Sequence, residues 1–253
     1  MYRIGLIVPS SNTTMETEIP LMLAAHAREH GTQFTFHSSR ARLHTVDVES
    51  LSCMVNDGER CAAEVGDASI DVAAYACLVA LMSRGAGAHT GIEAKLGEVI
   101  RQETGRDVPV VSSAGALVRT LGDLGLKKIA LVAPYMPPLT KMVIDYIEAA
   151  GTKVVDSISL SVSDNLMVGR LDPAALPGYV SRLNLSEAEG IVLSACVQMP
   201  SFPSVQLVQG QTGLPVLTAA TSTVREILLS LGLSPSIPGA GAALGAMPLR
   251  KAA

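Results

Sequence analysis

The sequence predicts an α/β protein of two pseudosymmetric lobes, each a parallel sheet flanked by helices, with the functional cleft between them. Three observations predict it. Short, nearly continuous apolar runs alternate with helix-length segments, as strands buried on both faces of a parallel sheet do. The pattern restarts midway: Lys127-Lys128-Ile129-Ala130-Leu131-Val132-Ala133-Pro134 echoes Tyr2-Arg3-Ile4-Gly5-Leu6-Ile7-Val8-Pro9, basic residue and closing proline included. Each half also holds an apolar strand that runs into a cysteine, Asp71 to Cys77 in the first and Gly190 to Cys196 in the second.

Taken in order, Tyr2 to Pro9 reads as the first strand, followed by the loop Ser10-Ser11-Asn12-Thr13-Thr14. Glu16 and Glu18 open a helix that runs to about His30 and is disturbed by Pro20. Hydroxyl and amide side chains before a helix are N-caps first of all. With free backbone N–H groups at a helix start they also form an anion cradle, suited to a carboxylate. Gln33 to Ser38 is a strand, and Val48 to Val65 a helix carrying Cys53 and Cys61, which read as ordinary helix thiols. After the strand ending at Cys77 come a helix over Ile92 to Glu103, a short strand at Val108 to Val111, and a helix capped by Ser112 or Ser113. Val108-Pro109-Val110 with Ser112 and a helix ending Leu124-Gly125-Leu126 is repeated as Leu214-Pro215-Val216 with Thr218 and a helix ending Leu231-Gly232-Leu233. This is a duplication. The tail from Ser234 to Ala253 carries no pattern to which chemistry attaches.

Composition narrows the function. The 253 residues are 48% hydrophobic and only 3% aromatic, with no tryptophan, so the core is aliphatic and base-stacking surfaces are not expected. A net charge of −4 without any basic tract argues against nucleic acid and anionic membranes as partners. No apolar run reaches the roughly 18–20 residues of a membrane span, and the N-terminal strand lacks the basic flank of a signal peptide, so the expected location is cytoplasmic. Four cysteines without a CxxC pair read as free thiols. Neither a GxGxxG loop after a strand nor a metal-ligand cluster is present, so no metal, nucleotide or flavin is expected.

Cys77 and Cys196 are the candidate catalytic residues, since ligands in open α/β sheets bind outside the carboxyl ends of strands. A thiol acts as thiolate, and at an ordinary pKa near 8.5 only about 3% is ionised at pH 7. A lowered pKa is therefore expected, supplied by oriented N–H groups, because all five histidines precede residue 90 and only the fold could bring His89 near. Paired thiols on opposite sides of a small substrate suit cofactor-free work at carbon.

Val8-Pro9-Ser10-Ser11-Asn12-Thr13, Tyr75-Ala76-Cys77, Asp164-Asn165 with Val168-Gly169-Arg170-Leu171, and Ala195-Cys196-Val197-Gln198-Met199-Pro200-Ser201 together resemble the maleate cis-trans isomerases of the aspartate/glutamate racemase superfamily. The similarity runs from Ile4 to about Leu231. It implies cofactor-independent isomerisation of maleate to fumarate through a cysteine adduct, with Cys77 and Cys196 facing the substrate. It also implies that Asn12, Tyr135 and Asn165 hold its carboxylates, helped by Ser11 and by backbone N–H groups after each strand, at Val79 and Val197. Arg170 is the next candidate should Asn12 fail. A further implication is an interleaved division near Gly125 and Leu217. Residues 1–124 and 218–253 would form the first lobe, the last strand and helix returning to it, and residues 125–217 the second. The resemblance extends to a homodimer or higher homo-oligomer. Amino-acid and hydantoin racemases are the alternative class, although racemases commonly follow the active cysteine with Asn and Thr, where this chain has Leu78-Val79 and Val197-Gln198. Arylmalonate decarboxylases lack the first cysteine. A thiol-based redox or ligand-binding protein is the non-enzyme alternative.

Overall fold

The first half of the chain runs β1 (Tyr2–Pro9), α1 (Met15–His30), β2 (Phe34–Ala41), α2 (Val48–Asp67), β3 (Val72–Tyr75), α3 (Leu78–Met82), α4 (Ala88–Thr104), β4 (Val110–Ser112) and α5 (Ser113–Asp123). The second half runs β5 (Lys128–Ala133), α6 (Pro137–Ala149), β6 (Lys153–Ser159), α7 (Asn165–Val168), α8 (Leu176–Val180), β7 (Gly190–Ser194), α9 (Phe202–Thr212), β8 (Val216–Thr218) and α10 (Ala219–Ser230). This computed structural model describes residues 1–245 except His44 and Val46, and the backbone but not the side chains of Val48 and Ser52. Of the tail and of the first lobe's expected final segment, residues 246–253 lie outside the described residues.

Each half builds one four-stranded parallel sheet, and the two have the same order, β2-β1-β3-β4 and β6-β5-β7-β8. The duplication in sequence is thus a duplication in topology. Strands β1, β3, β5 and β7 are central, and apart from the first two residues of β1 and Lys128 they are buried throughout, which is why they read as unbroken apolar runs. Ser112 and Thr218 occupy the same place in the two halves, each side chain accepting from the backbone N–H three residues on. Pro20 lies inside α1 without ending it. Met15, Ile19, Met22, Leu23 and His26 bury one face of that helix, and this packing outweighs the one backbone bond that proline removes.

One expectation fails. The last strand does not return to the first lobe: β8 pairs with β7 in the second sheet. Only three residues separate α9 from β8, a reach of about 10 Å, too short to leave the second lobe. The last helix does cross. α10 packs against α5 and α1 and over β3 and β4. Arg119 on α5 bonds Glu226 of α10 at 2.9 Å and Glu93 of α4 at 3.0 Å, and the buried Arg225 of α10 reaches Asp123 at 3.1 Å.

Candidate active site

In a sheet of order 2-1-3-4 the crossovers diverge between the first and third strands, and the crevice at their carboxyl ends is the binding place. Asn12 and Cys77 follow β1 and β3, while Tyr135 and Cys196 follow β5 and β7. The four residues therefore stand at the two equivalent switch points. The lobes face each other there across a narrow, nearly closed pocket lined by Cys77, Cys196, Asn12, Tyr135 and Asn165 and by Val79 and Val197. Pro9, Leu43, Leu78 and Gln198 complete its wall. A wider groove lies between Met82 and Tyr146, but it is open and holds no thiol. The segment after β2, which carries Leu43, reaches the second lobe through an antiparallel bridge from Thr45 to Asp164.

The two sulfurs have unlike settings. Cys77 is separated from β3 by one residue and directly precedes α3, with φ 122° and ψ 78°, a region that a side chain rarely adopts and that costs roughly 1–3 kcal/mol. The Ala80 N–H faces its sulfur, yet burial outweighs that bond and pushes the thiol up to about 12. Cys196 sits in a seven-residue connection between β7 and α9. Its sulfur meets the Tyr135 hydroxyl and the N–H groups of Gln198 and Met199, the first of these backbone donors at 3.4 Å. Burial still raises its pKa. The expected lowering is therefore not found: both thiols rest protonated, because dehydration of a buried thiolate costs more than the donors return. Tyr135, buried beside both sulfurs, titrates well above the usual phenol range for the same reason and stays a neutral donor.

Asn12 reconciles the two readings of the first loop. Its Oδ1 accepts from the Met15 N–H at 2.9 Å, which is capping, while its buried Nδ2 has no protein partner and belongs to a residue of the cavity wall. The N–H groups of residues 12–15 are not free to form the expected anion cradle. The N–H of Asn12 bonds Pro9, those of Thr13 and Thr14 bond Gln198 Oε1, and that of Met15 bonds Asn12. Asn165 donates from Nδ2 to Ser11 Oγ at 2.8 Å, and Ser11 donates to the Leu43 carbonyl. Ser11 thus stands behind the cavity wall, orienting Asn165. Arg170 is exposed, and among the described residues its guanidinium reaches the Met167 sulfur. His89 is turned to Tyr146, its Nδ1 2.5 Å from the phenol oxygen, and does not line the cavity; His44 lies outside the described residues.

Two cross-lobe residues were not singled out in the sequence. Gln198 had only its place in the motif after Cys196 to mark it. Glu18 read as an acidic residue of a helix's first turn; instead its Oε1 accepts from the N–H groups of Ser201 and Phe202, capping α9 of the other lobe. Its carboxyl is raised by burial despite those bonds.

Two sheets of one topology, closing on a pair of free thiols between buried amides, define a two-lobed, two-cysteine α/β protein. Among the described residues no group of three or more His, Cys, Asp or Glu is placed to hold a metal. A family model described as arylmalonate decarboxylase matches residues 4–244. The chain is 57% identical over 244 residues to a maleate isomerase of Geobacillus stearothermophilus, covering 96% of this chain and 97% of that one. Among solved structures, it superposes with TM-score 0.94 on a cysteine-to-alanine variant of the maleate isomerase Iso from Pseudomonas putida S16 with maleate, 45% identical over 96% of this chain and 97% of that one. It superposes with TM-score 0.92 on a cysteine-to-serine variant of the Nocardia farcinica maleate cis-trans isomerase with a covalently bound succinylcysteine intermediate, 44% identical over 96% and 98% of the two chains. The chain belongs to the maleate isomerases, within the wider family that the arylmalonate decarboxylase model describes.

Proposed function

We propose that this protein interconverts maleate and fumarate, without a cofactor, through a covalent cysteine adduct. The observation that carries the reading is the pair of buried thiols at equivalent strand ends, facing one cavity between Asn12 and Asn165. The succinylcysteine in the Nocardia farcinica relative supports the covalent route.

Rotation about an amide, with only partial double-bond character, already faces about 18–20 kcal/mol, a rate on the order of 0.01 per second at the upper figure. A full C=C bond turns far more slowly, so its bond order must fall. Cys77 sulfur adds to one alkene carbon, and the π pair moves onto the other carbon and its carboxylate. Cys196 gives its proton to that carbon while the Cys77 proton passes to the Cys196 sulfur, which leaves a succinyl thioether. The central bond is now single and turns. Cys196 then takes a proton from the same carbon as its own proton passes back to the departing Cys77 sulfur, the pair re-forms the double bond, and the C–S bond breaks to release fumarate with both thiols restored. In this sequence neither sulfur carries a free charge at rest, which agrees with the high pKa of both thiols. Asn12 Nδ2 and Asn165 grip the carboxylates, and the N–H groups of Leu78 and Val79, which open α3 and have no helical carbonyl to bond, meet the charge as it develops.

Following maleate, substituted maleates, aspartate and glutamate by NMR tests the reading. Fumarate from maleate with no solvent exchange at an amino acid's Cα is expected; racemisation without isomerisation overturns it. No helix among the described residues is long and apolar enough to cross a membrane. The proposed setting is the cytoplasm, in keeping with four free thiols, and the proposed assembly a homodimer or larger homo-oligomer, which sedimentation as a monomer at micromolar concentration would exclude.

A further inference from the structure

Gln198 is buried where three segments meet. Its Oε1 accepts from the N–H of Thr13 at 3.0 Å and of Thr14 at 3.4 Å, and its Nε2 donates to the carbonyls of Ser11 at 3.1 Å and Asn165 at 2.9 Å. Its backbone adds two more contacts: the carbonyl accepts from the Thr14 hydroxyl at 2.7 Å, and the N–H faces Cys196 Sγ at 3.4 Å. One residue thus holds the chain on both sides of Asn12, the backbone of Asn165 and the second thiol. An amide whose two acceptor and two donor capacities are all used fixes direction as well as distance.

We infer that Gln198 is a positioning residue for the reaction proposed above, setting the separation of Asn12 and Asn165 across the lobes and aiming its own N–H at Cys196. Gly169 supports this independently of the bonds. Its φ of −68° suits any residue, yet a Cβ there would lie 2.6 Å from Gln198 Nε2 and 3.1 Å from Thr13 Oγ1. The glycine makes room for the latch.

Three variants test it, each first shown folded by its thermal melt. Gln198→Met keeps the length and loses all four side-chain bonds; KM for maleate is expected to rise about tenfold and kcat/KM to fall about a hundredfold. Gln198→Glu turns an ionised oxygen toward two carbonyls at neutral pH, and protonation gives back one donor. Its kcat/KM is therefore expected to rise on acidification, a trend a loss of mere stability would not produce. Gly169→Ala displaces the latch with Gln198 intact and is expected to raise KM at least threefold; it decides the question if Gln198→Met does not fold. KM and kcat/KM within twofold of wild type in Gln198→Met or Gly169→Ala overturn the inference. Alkylation of Cys196 by iodoacetamide, expected to slow about fivefold in Gln198→Met as the backbone N–H of residue 198, no longer held in place by its side chain, turns away from the sulfur, does not depend on maleate. A wild type inert to maleate would overturn the proposed reaction, and an unchanged alkylation rate would then overturn the latch.

Discussion

Cys77 and Cys196 end equivalent strands of equivalent sheets, yet one is followed at once by a helix and the other by five further residues before the next helix begins. Cys77 has a strained backbone and one N–H donor, from Ala80. Cys196 has three donors, from Tyr135, Gln198 and Met199. The duplication supplied the position of each sulfur, and the connection after it supplied the surroundings. A sulfur fixed in direction with little to stabilise its charge suits forming a bond to carbon in step with losing its proton. A sulfur surrounded by donors suits holding a proton and handing it back.

The sharpest way to break this comparison is to remove each sulfur in turn. Cys77→Ala is expected to lower maleate turnover by about 10⁴-fold or more, on the scale of losing a nucleophile, with no covalent adduct in the mass spectrum. Cys196→Ser should cost about 10²–10⁴-fold, the range of lost acid–base help, and leave protein carrying the mass of one maleate. An adduct on Cys77→Ala that is absent from Cys196→Ser would reverse the assignment. Next in size are the amides. Asn12→Ala or Asn165→Ala removes a hydrogen bond to a charged oxygen worth about 1.5–3 kcal/mol, so kcat/KM should drop about 10- to 100-fold.

A smaller effect separates the sulfurs by pH. Because burial pushes the Cys77 thiol up to about 12, its alkylation rate should climb about tenfold per pH unit with no plateau through pH 10. A plateau near pH 8 would mean that the thiolate is far better stabilised than its dehydrated setting allows. The smallest effect concerns Glu18, which holds the end of the Cys196 connection. Burial raises its carboxyl, so the folded chain binds that proton more tightly than the unfolded chain does. Its contribution to stability is full below the unfolded pKa and is lost as pH rises through the folded value. Glu18→Gln cannot ionise, so its melting temperature should gain on wild type as pH rises from 4 to 7. A constant difference across that range would show that the wild-type carboxyl is not raised.

What could be read from the residues was local or repeated. The central strands, the capping of α5 by Ser112 and the matched cap at Thr218 each depend on residues within one turn or one strand, and the duplication let each half check the other. What could not be read depends on partners far along the chain. The loop after β1 looked like a cradle with free donors, but the oxygen that takes the Thr13 N–H belongs to a residue 185 positions away. Glu18 looked like a first-turn acid of its own helix, and its partner lies 183 positions on. The raised thiol pKa was equally out of reach, since it depends on how completely two lobes exclude water from a cavity that neither makes alone.

The return of α10 to the first lobe has a consequence for how the protein is made. At about 5–20 residues per second, a ribosome completes α5 several seconds or more before α10 emerges. Through that interval Arg119 lacks its Glu226 partner, and the faces of α5 and α1 that α10 covers stand open to water. The first lobe, though synthesised first, is the last to be finished. The second lobe, whose sheet is complete once β8 has emerged, must be threaded between the two pieces of the first. A chain cut short before residue 219 would lack the helix that covers α5 and α1 and would leave Cys77, just beyond β3, in a lobe short of that cover.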